Sequence, residues 1–172
     1  MAHEIKIPES ASKTDIYDLL IKQIDFLLKD EHNIISNIAN ITSVLKYSLP
    51  GVIWVGFYYY EPATNELVLG PFQGKVACTR IKSGQGVCGQ SLERKESIIV
   101  EDVEKFPGHI YCDSDSRSEI VIPIISSGTP KGVLDLDSDS IGNFDETDRL
   151  YLEKLIENIK YLFENEQKIS FK

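Results

Sequence analysis

The chain has 172 residues, 42% of them hydrophobic, enough to build the core of one domain and unlike the composition of a disordered chain. Lys and Arg number 18 against 27 Asp and Glu, a formal charge of −9, which argues against nucleic acid and anionic membrane surfaces as partners. No apolar run approaches the roughly 20 residues of a membrane span. The start, Met1-Ala2-His3-Glu4-Ile5-Lys6, has no basic stretch followed by an apolar one, so a soluble cytoplasmic protein is expected.

Residues 1–13 read as an N-terminal tail. Ile16, Leu19, Leu20, Ile24, Leu27 and Leu28 then recur at helical spacing to about residue 30. A second helix is predicted over 33–47, stopped by Leu49-Pro50-Gly51. Residues 52–60 are dominated by β-branched and aromatic side chains and read as a strand. A turn at 61–65 and a return at 66–69 make a hairpin. A third strand is predicted at 76–81, a short helix at 87–95 after the Gly84-Gln85-Gly86 break, and a fourth strand at 97–100. Residues 101–118 form a loop longer than ordinary connections, a length that points to function. Strands at 120–125 and 133–137 flank a turn at 126–132. Asp145 and Asp148 then cap a long amphipathic helix, and 166–172 read as a C-terminal tail. The sum is an α+β domain with about six mainly antiparallel strands.

Three cysteines, Cys78, Cys88 and Cys112, make an odd count for a secreted disulfide scaffold. In a reducing compartment any disulfide among them would be transient and catalytic. No Cys-x-x-Cys occurs, and the thiols with His109 fit no familiar metal spacing, so neither a metal nor an organic cofactor is expected. On spacing alone Cys78, in a strand pattern, and Cys88, among small residues, read as small core side chains. Cys112 differs, because it sits on a polar loop among turn formers and charges. His109 and Arg117 would favour its thiolate, whereas Asp113 and Asp115 would oppose it. His109 itself reads as an ordinary loop residue.

Asp135 and Asp137 alternate with Leu134 and Leu136, which puts both carboxylates on one face of a strand, with Asp139 continuing the row. The plain reading is a solvated face. The chemical reading is a paired-carboxylate site that holds a proton near neutrality, joined by Glu119 if the fifth and sixth strands pair. Trp54, in an alternating aromatic run, is a core residue or an apolar wall for a small ligand. Gly84-Gln85-Gly86-Val87-Cys88-Gly89 lacks the Lys-Ser/Thr ending of a phosphate loop.

These residues fall into stretches that resemble a known family. The stretches are Trp54-Val55-Gly56-Phe57-Tyr58, Leu69-Gly70-Pro71-Phe72-Gln73-Gly74, Gly84-Gln85-Gly86-Val87-Cys88-Gly89, Phe106-Pro107-Gly108-His109-Ile110, Cys112-Asp113, Ser116-Arg117-Ser118-Glu119-Ile120-Val121 and Gly132-Val133-Leu134-Asp135-Leu136-Asp137-Ser138. Together with the cysteine spacing they resemble the free methionine-(R)-sulfoxide reductases, which are single GAF domains, and they span most of 14–165. The resemblance implies that Cys112 attacks the sulfoxide and that one of the other two cysteines resolves the oxidised thiol, with Cys78 favoured over Cys88. It further implies that Glu119, Asp135 and Asp137 bind substrate and assist proton transfer, and that Trp54 walls the substrate methyl group. Thioredoxin is the implied reductant, and a homodimer is left open. Asp115 departs from the family pattern and bears on the charge around Cys112. The competing classes are a ligand-sensing GAF module, for which no output domain is present, and a thiol oxidant sensor, which would have no use for the three acids.

Overall fold

Two helices open the fold, and each carries its own start signal. Helix α1 (Lys13–Leu28) begins at Ser12, whose hydroxyl accepts from the Asp15 backbone while the Asp15 carboxylate accepts from that of Ser12. Helix α2 (Ile34–Ser48) begins at Asn33, whose side chain accepts from the Ser36 N–H, and it ends before Gly51, which turns the chain at φ +73°. The computed structural model describes residues 7–8, 10–110 and 112–164. The expected C-terminal tail at 166–172 and most of the N-terminal tail lie outside the described residues.

The sheet comprises β1 (Val52–Glu61), β2 (Glu66–Gln73), β3 (Arg80–Lys82), β4 (Ile98–Val100), β5 (Ser118–Ser126) and β6 (Thr129–Ser138). Its order is β3-β2-β1-β6-β5-β4, with every neighbouring pair antiparallel. Helix α3 (Gly86–Arg94) lies between β3 and β4, and α4 (Glu146–Ile159) closes the chain and runs on into a short 3₁₀ turn at Lys160–Phe163.

Three elements differ from expectation, the first being β2, which runs on past 69 to Gln73 and still pairs with β1 there. The third strand is shorter than 76–81. Only Arg80–Lys82 pairs with β2, and residues 76–78 run free of the sheet. Val76 explains the misreading, because its β-branched side chain suits a strand yet stands 87% exposed. The turn expected at 126–132 shrinks to Ser127 and Gly128. Both have positive φ, 49° and 76°, the geometry of a two-residue hairpin turn, so β5 and β6 pair to their very ends.

Alternation along each strand sorts the core into two layers. On one face Val55, Phe57, Ile120, Ile122, Leu134 and Leu136 pack against α1, α2 and α4. Each fully buried aliphatic side chain there contributes about 1.5–3 kcal/mol. On the other face Trp54, Tyr58, Val121 and Val133 pack with Val87, Cys88 and Leu92 of α3 and with Val103. The second layer is smaller and partly polar, and it holds the site.

Candidate active site

The register of three strands decides which side chains meet. Trp54 stands opposite Asp137 and Gly56 opposite Asp135. Glu119 stands opposite the same Asp137 from the other side, and Val121 opposite Asp135. Cross-strand partners share a face, so the three carboxylates and Trp54 form one patch on the inner side of α3 and the long loop. Glu119 and Asp135 are 5% and 6% exposed, which rules out the solvated-face reading of this strand. Asp139 does not continue the row, because it lies beyond the end of β6 and is exposed.

Trp54 lies flat along the sheet because Gly56 leaves it room. A Cβ on Gly56 would sit 2.1 Å from the indole ring. The ring stacks on Phe72 with centroids 5.5 Å apart, and its Nε1 donates to the Lys75 carbonyl at 3.0 Å. Helix α3 comes close for a similar reason. A Cβ on Gly89 would meet the Lys82 carbonyl oxygen at 2.3 Å. That approach buries Cys88, whose Sγ lies 4.0 Å from Glu119 Oε1.

The long loop supplies the roof. His109 Nε2 lies 3.3 Å from Glu119 Oε2, and the Ser116 hydroxyl donates to Asp137 Oδ1 at 2.6 Å. Cys112 is joined to Cys78 by a disulfide across a Cα–Cα distance of 5.4 Å. The Tyr58 hydroxyl donates to the Cys78 carbonyl at 3.1 Å, fixing the partner segment to the sheet. Lys75 forms ion pairs with Asp113 and Asp115, both just after Cys112. The Asp115 charge that departs from the family pattern is thus drawn outward to a lysine on the surface.

One pocket is lined by Trp54, Cys88, His109, Cys112, Glu119, Asp135 and Asp137, with Val76, Ala77 and Ile110 among its apolar walls. Every site residue expected from sequence except Cys78 lines it, and Cys78 is bonded to Cys112 at its edge. Sequence reasoning missed His109 as a contact of Glu119, and it missed the supporting roles of Ser116, Tyr58 and Lys75.

The electrostatics are unusual for a buried patch. Among the described residues no Lys or Arg pairs with Glu119, Asp135 or Asp137, and Asp135 Oδ1 has no hydrogen-bond partner. Burial, then the Asp137 charge, pushes the Glu119 carboxyl well above its ordinary value. Burial, then Asp137 and Glu119, does the same for Asp135. Asp137 is pushed up to about 6 by burial, against the Ser116 hydrogen bond that favours its charged form. Burial, then Asp135 and Glu119, raises the Cys88 thiol well above its ordinary value, so it stays protonated. The site therefore combines a disulfide-bonded cysteine pair with acids whose proton affinity burial has raised and which no Lys or Arg pairs among the described residues.

The GAF domain family matches residues 39–162. The chain is 49% identical to GAF domain-containing protein A of Dictyostelium discoideum, over 91% of this chain and 97% of that one. It is 40% identical to the free methionine-R-sulfoxide reductase of Saccharomyces cerevisiae, over 90% and 89%. The crystal structure of the free methionine-R-sulfoxide reductase of Neisseria meningitidis, solved with its substrate, superposes with a TM-score of 0.87 at 46% identity, covering 91% of this chain and 93% of that one. The chain belongs to the GAF domain family, in the group that contains the free methionine-R-sulfoxide reductases.

Proposed function

We infer that the protein reduces free methionine-(R)-sulfoxide to methionine. The observation that carries this reading is the Cys78–Cys112 pair at the edge of a pocket floored by three carboxylates, two of them buried, without a Lys or Arg partner among the described residues. A free amino acid brings an ammonium group that suits that floor. A methionine inside a peptide lacks this group and would leave buried charges unpaired. Trp54 offers an apolar wall to the S-methyl group.

The chemistry balances with the groups present. The Cys112 thiolate attacks the sulfoxide sulfur while one carboxyl of the cluster protonates the oxygen, which passes to the Cys112 sulfur as its bond to the substrate sulfur breaks. Methionine leaves, and Cys112 becomes a sulfenic acid. Cys78 attacks the Cys112 sulfur, the sulfenic oxygen leaves as water, and the disulfide forms. One sulfoxide and two thiols give one thioether, one disulfide and one water. An external dithiol such as thioredoxin returns both thiols by exchange, which fits a cytoplasmic setting. Cys88 faces the carboxylates and takes no part in the exchange.

The test is a thioredoxin assay coupled to NADPH oxidation, comparing R and S epimers, free and peptide-bound. Turnover is expected for the free R epimer alone. Cys112→Ser should lose at least about 10³-fold in kcat, and Cys78→Ser should complete one turnover and stall. Sustained turnover by Cys112→Ser overturns the assignment.

A further inference from the structure

Cys88 is a buried thiol that the proposed reaction leaves unused, and it points at two acids. Its Sγ, a Glu119 oxygen and an Asp135 oxygen all lie within 4.8 Å of one another. The linear spacing of these residues gives no metal signature. The fold assembles one from α3, β5 and β6. We propose that Cys88, Glu119 and Asp135 form an inhibitory site for a thiophilic divalent cation of the zinc and cadmium class.

Three observations support the geometry. First, zinc–sulfur bonds of about 2.3 Å and zinc–oxygen bonds of about 2.0–2.2 Å place tetrahedral neighbours roughly 3.3–3.7 Å apart. The 4.0 Å between Cys88 Sγ and Glu119 Oε1 is close to that spacing. Second, Asp135 Oδ1 is without a hydrogen-bond partner among the described residues, on a side chain more than nine-tenths buried that lines the pocket. An unpartnered buried carboxylate oxygen is costly until a cation or donor reaches it. Third, the two oxygens of Glu119 are divided. Oε2 is held by His109 at 3.3 Å, while Oε1 faces Cys88. A ligating carboxylate oriented through its second oxygen is the usual supporting arrangement of a metal centre. The pocket supplies the open fourth position for water.

The thiolate sets the choice of ion. Magnesium and calcium prefer all-oxygen shells, whereas sulfur with two oxygens suits zinc or cadmium. Binding exchanges the Cys88 thiol proton, and any proton on the two carboxyls, for the cation, so protons are released. Burial, then the field of Asp135 and Glu119, keeps the Cys88 thiol protonated, and the same two acids attract the cation that displaces the proton. Occupancy would consume the oxygens offered to a substrate ammonium, and the enzyme would be inhibited whatever the state of Cys78 and Cys112.

The disulfide form isolates this site, because Cys88 is then the remaining free thiol of three cysteines. Untagged, chelator-treated disulfide protein is titrated with cadmium chloride while the ultraviolet thiolate-to-cadmium charge-transfer band is followed. One equivalent with release of protons is expected. Cys88→Ser should abolish the band, and Glu119→Gln should weaken binding by about tenfold or more. Absence of the band, or a band unchanged in both variants, overturns the site. Excess free methionine should compete with cadmium if the reductase reading holds. Failure of that competition alone counts against the substrate reading, and loss of the band counts against the metal site.

Discussion

A buried acid, Asp148, and a cluster of three, Glu119, Asp135 and Asp137, lie on opposite faces of the same sheet, and they are built to opposite ends. Asp148, at the start of α4, is 4% exposed. Its Oδ1 accepts from the Tyr17 hydroxyl at 2.8 Å, and its Oδ2 accepts from Lys13 Nζ at 2.6 Å and from the Asp145 N–H at 2.7 Å. Every oxygen is satisfied, and the cluster ties α1 to α4. Glu119 and Asp135 are as deeply placed and Asp137 is half-buried beside them, yet one oxygen is unpartnered and, among the described residues, no Lys or Arg answers the charge. Burial of an acid therefore says little by itself. The number of its oxygens already answered separates a structural joint from a site waiting for a ligand.

The largest effects should come from neutralising one member of each cluster. Asp137→Asn is expected to lower kcat/KM by about 10²–10⁴-fold, since a positioned acid contributes on that scale. The same substitution should stabilise the fold. Replacing a carboxyl whose proton affinity burial has raised removes a penalty of about 1–3 kcal/mol at pH 8. Steady-state kinetics and urea denaturation of the chelator-treated protein check the two halves, and a variant that loses activity and stability together would erase the contrast. Asp148→Asn should behave in the reverse way. It removes one of the two carboxylates paired with Lys13 and leaves a donor to Oδ2 unanswered, and should cost about 1–3 kcal/mol in unfolding free energy. The kcat/KM of whatever remains folded should stay unchanged.

A smaller effect concerns pH. The Asp137 pKa rises from its ordinary 3.8 to about 6 in the folded protein, with Glu119 opposite it and with His109 and Asp113 acting on it from the loop. The native state then holds a proton that the unfolded state has lost, so stability falls as pH rises between about 4 and about 6. Unfolding free energies measured across that window should show the decline in the wild type and a flatter profile in Asp137→Asn.

Much of this was legible from local pattern. The Leu134-Asp135-Leu136-Asp137 alternation gave the strand and its acidic face, and the spacing of Asp145 and Asp148 gave a helix start. The partner of Asp148 was not legible, because Lys13 lies on another helix 135 residues away in sequence. Glu119 could be placed beside Asp137 only on condition that β5 and β6 pair, which they do. His109 was passed over because a loop side chain is aimed by the path of the loop, and Pro107-Gly108 signals a turn without giving its direction. The segment before β3 was misread for the opposite reason. Its residues suit a strand, but the Trp54 indole holds the Lys75 carbonyl and the disulfide holds Cys78, and both draw the chain away from the sheet.

The smallest expected effect sharpens the comparison by its sign. Asp145 is more than half exposed, and its carboxyl is held down to about 2, chiefly by the Lys13 hydrogen bond and also by the Thr147 and Asp148 N–H groups. Asp145→Asn keeps a competent helix cap and loses only a solvent-screened charge pair, so it should cost a few tenths of a kcal/mol. A depressed acid contributes stability that is present above its unfolded pKa of about 4 and lost as pH falls towards the folded value. Wild type and Asp145→Asn should therefore differ at pH 6 and converge near pH 2 in denaturant titrations. The Asp137 slope runs downward with rising pH and the Asp145 slope upward, in adjacent windows. Acids tied into the fold by a lysine and acids left without a Lys or Arg partner among the described residues thus carry opposite signs in one stability profile.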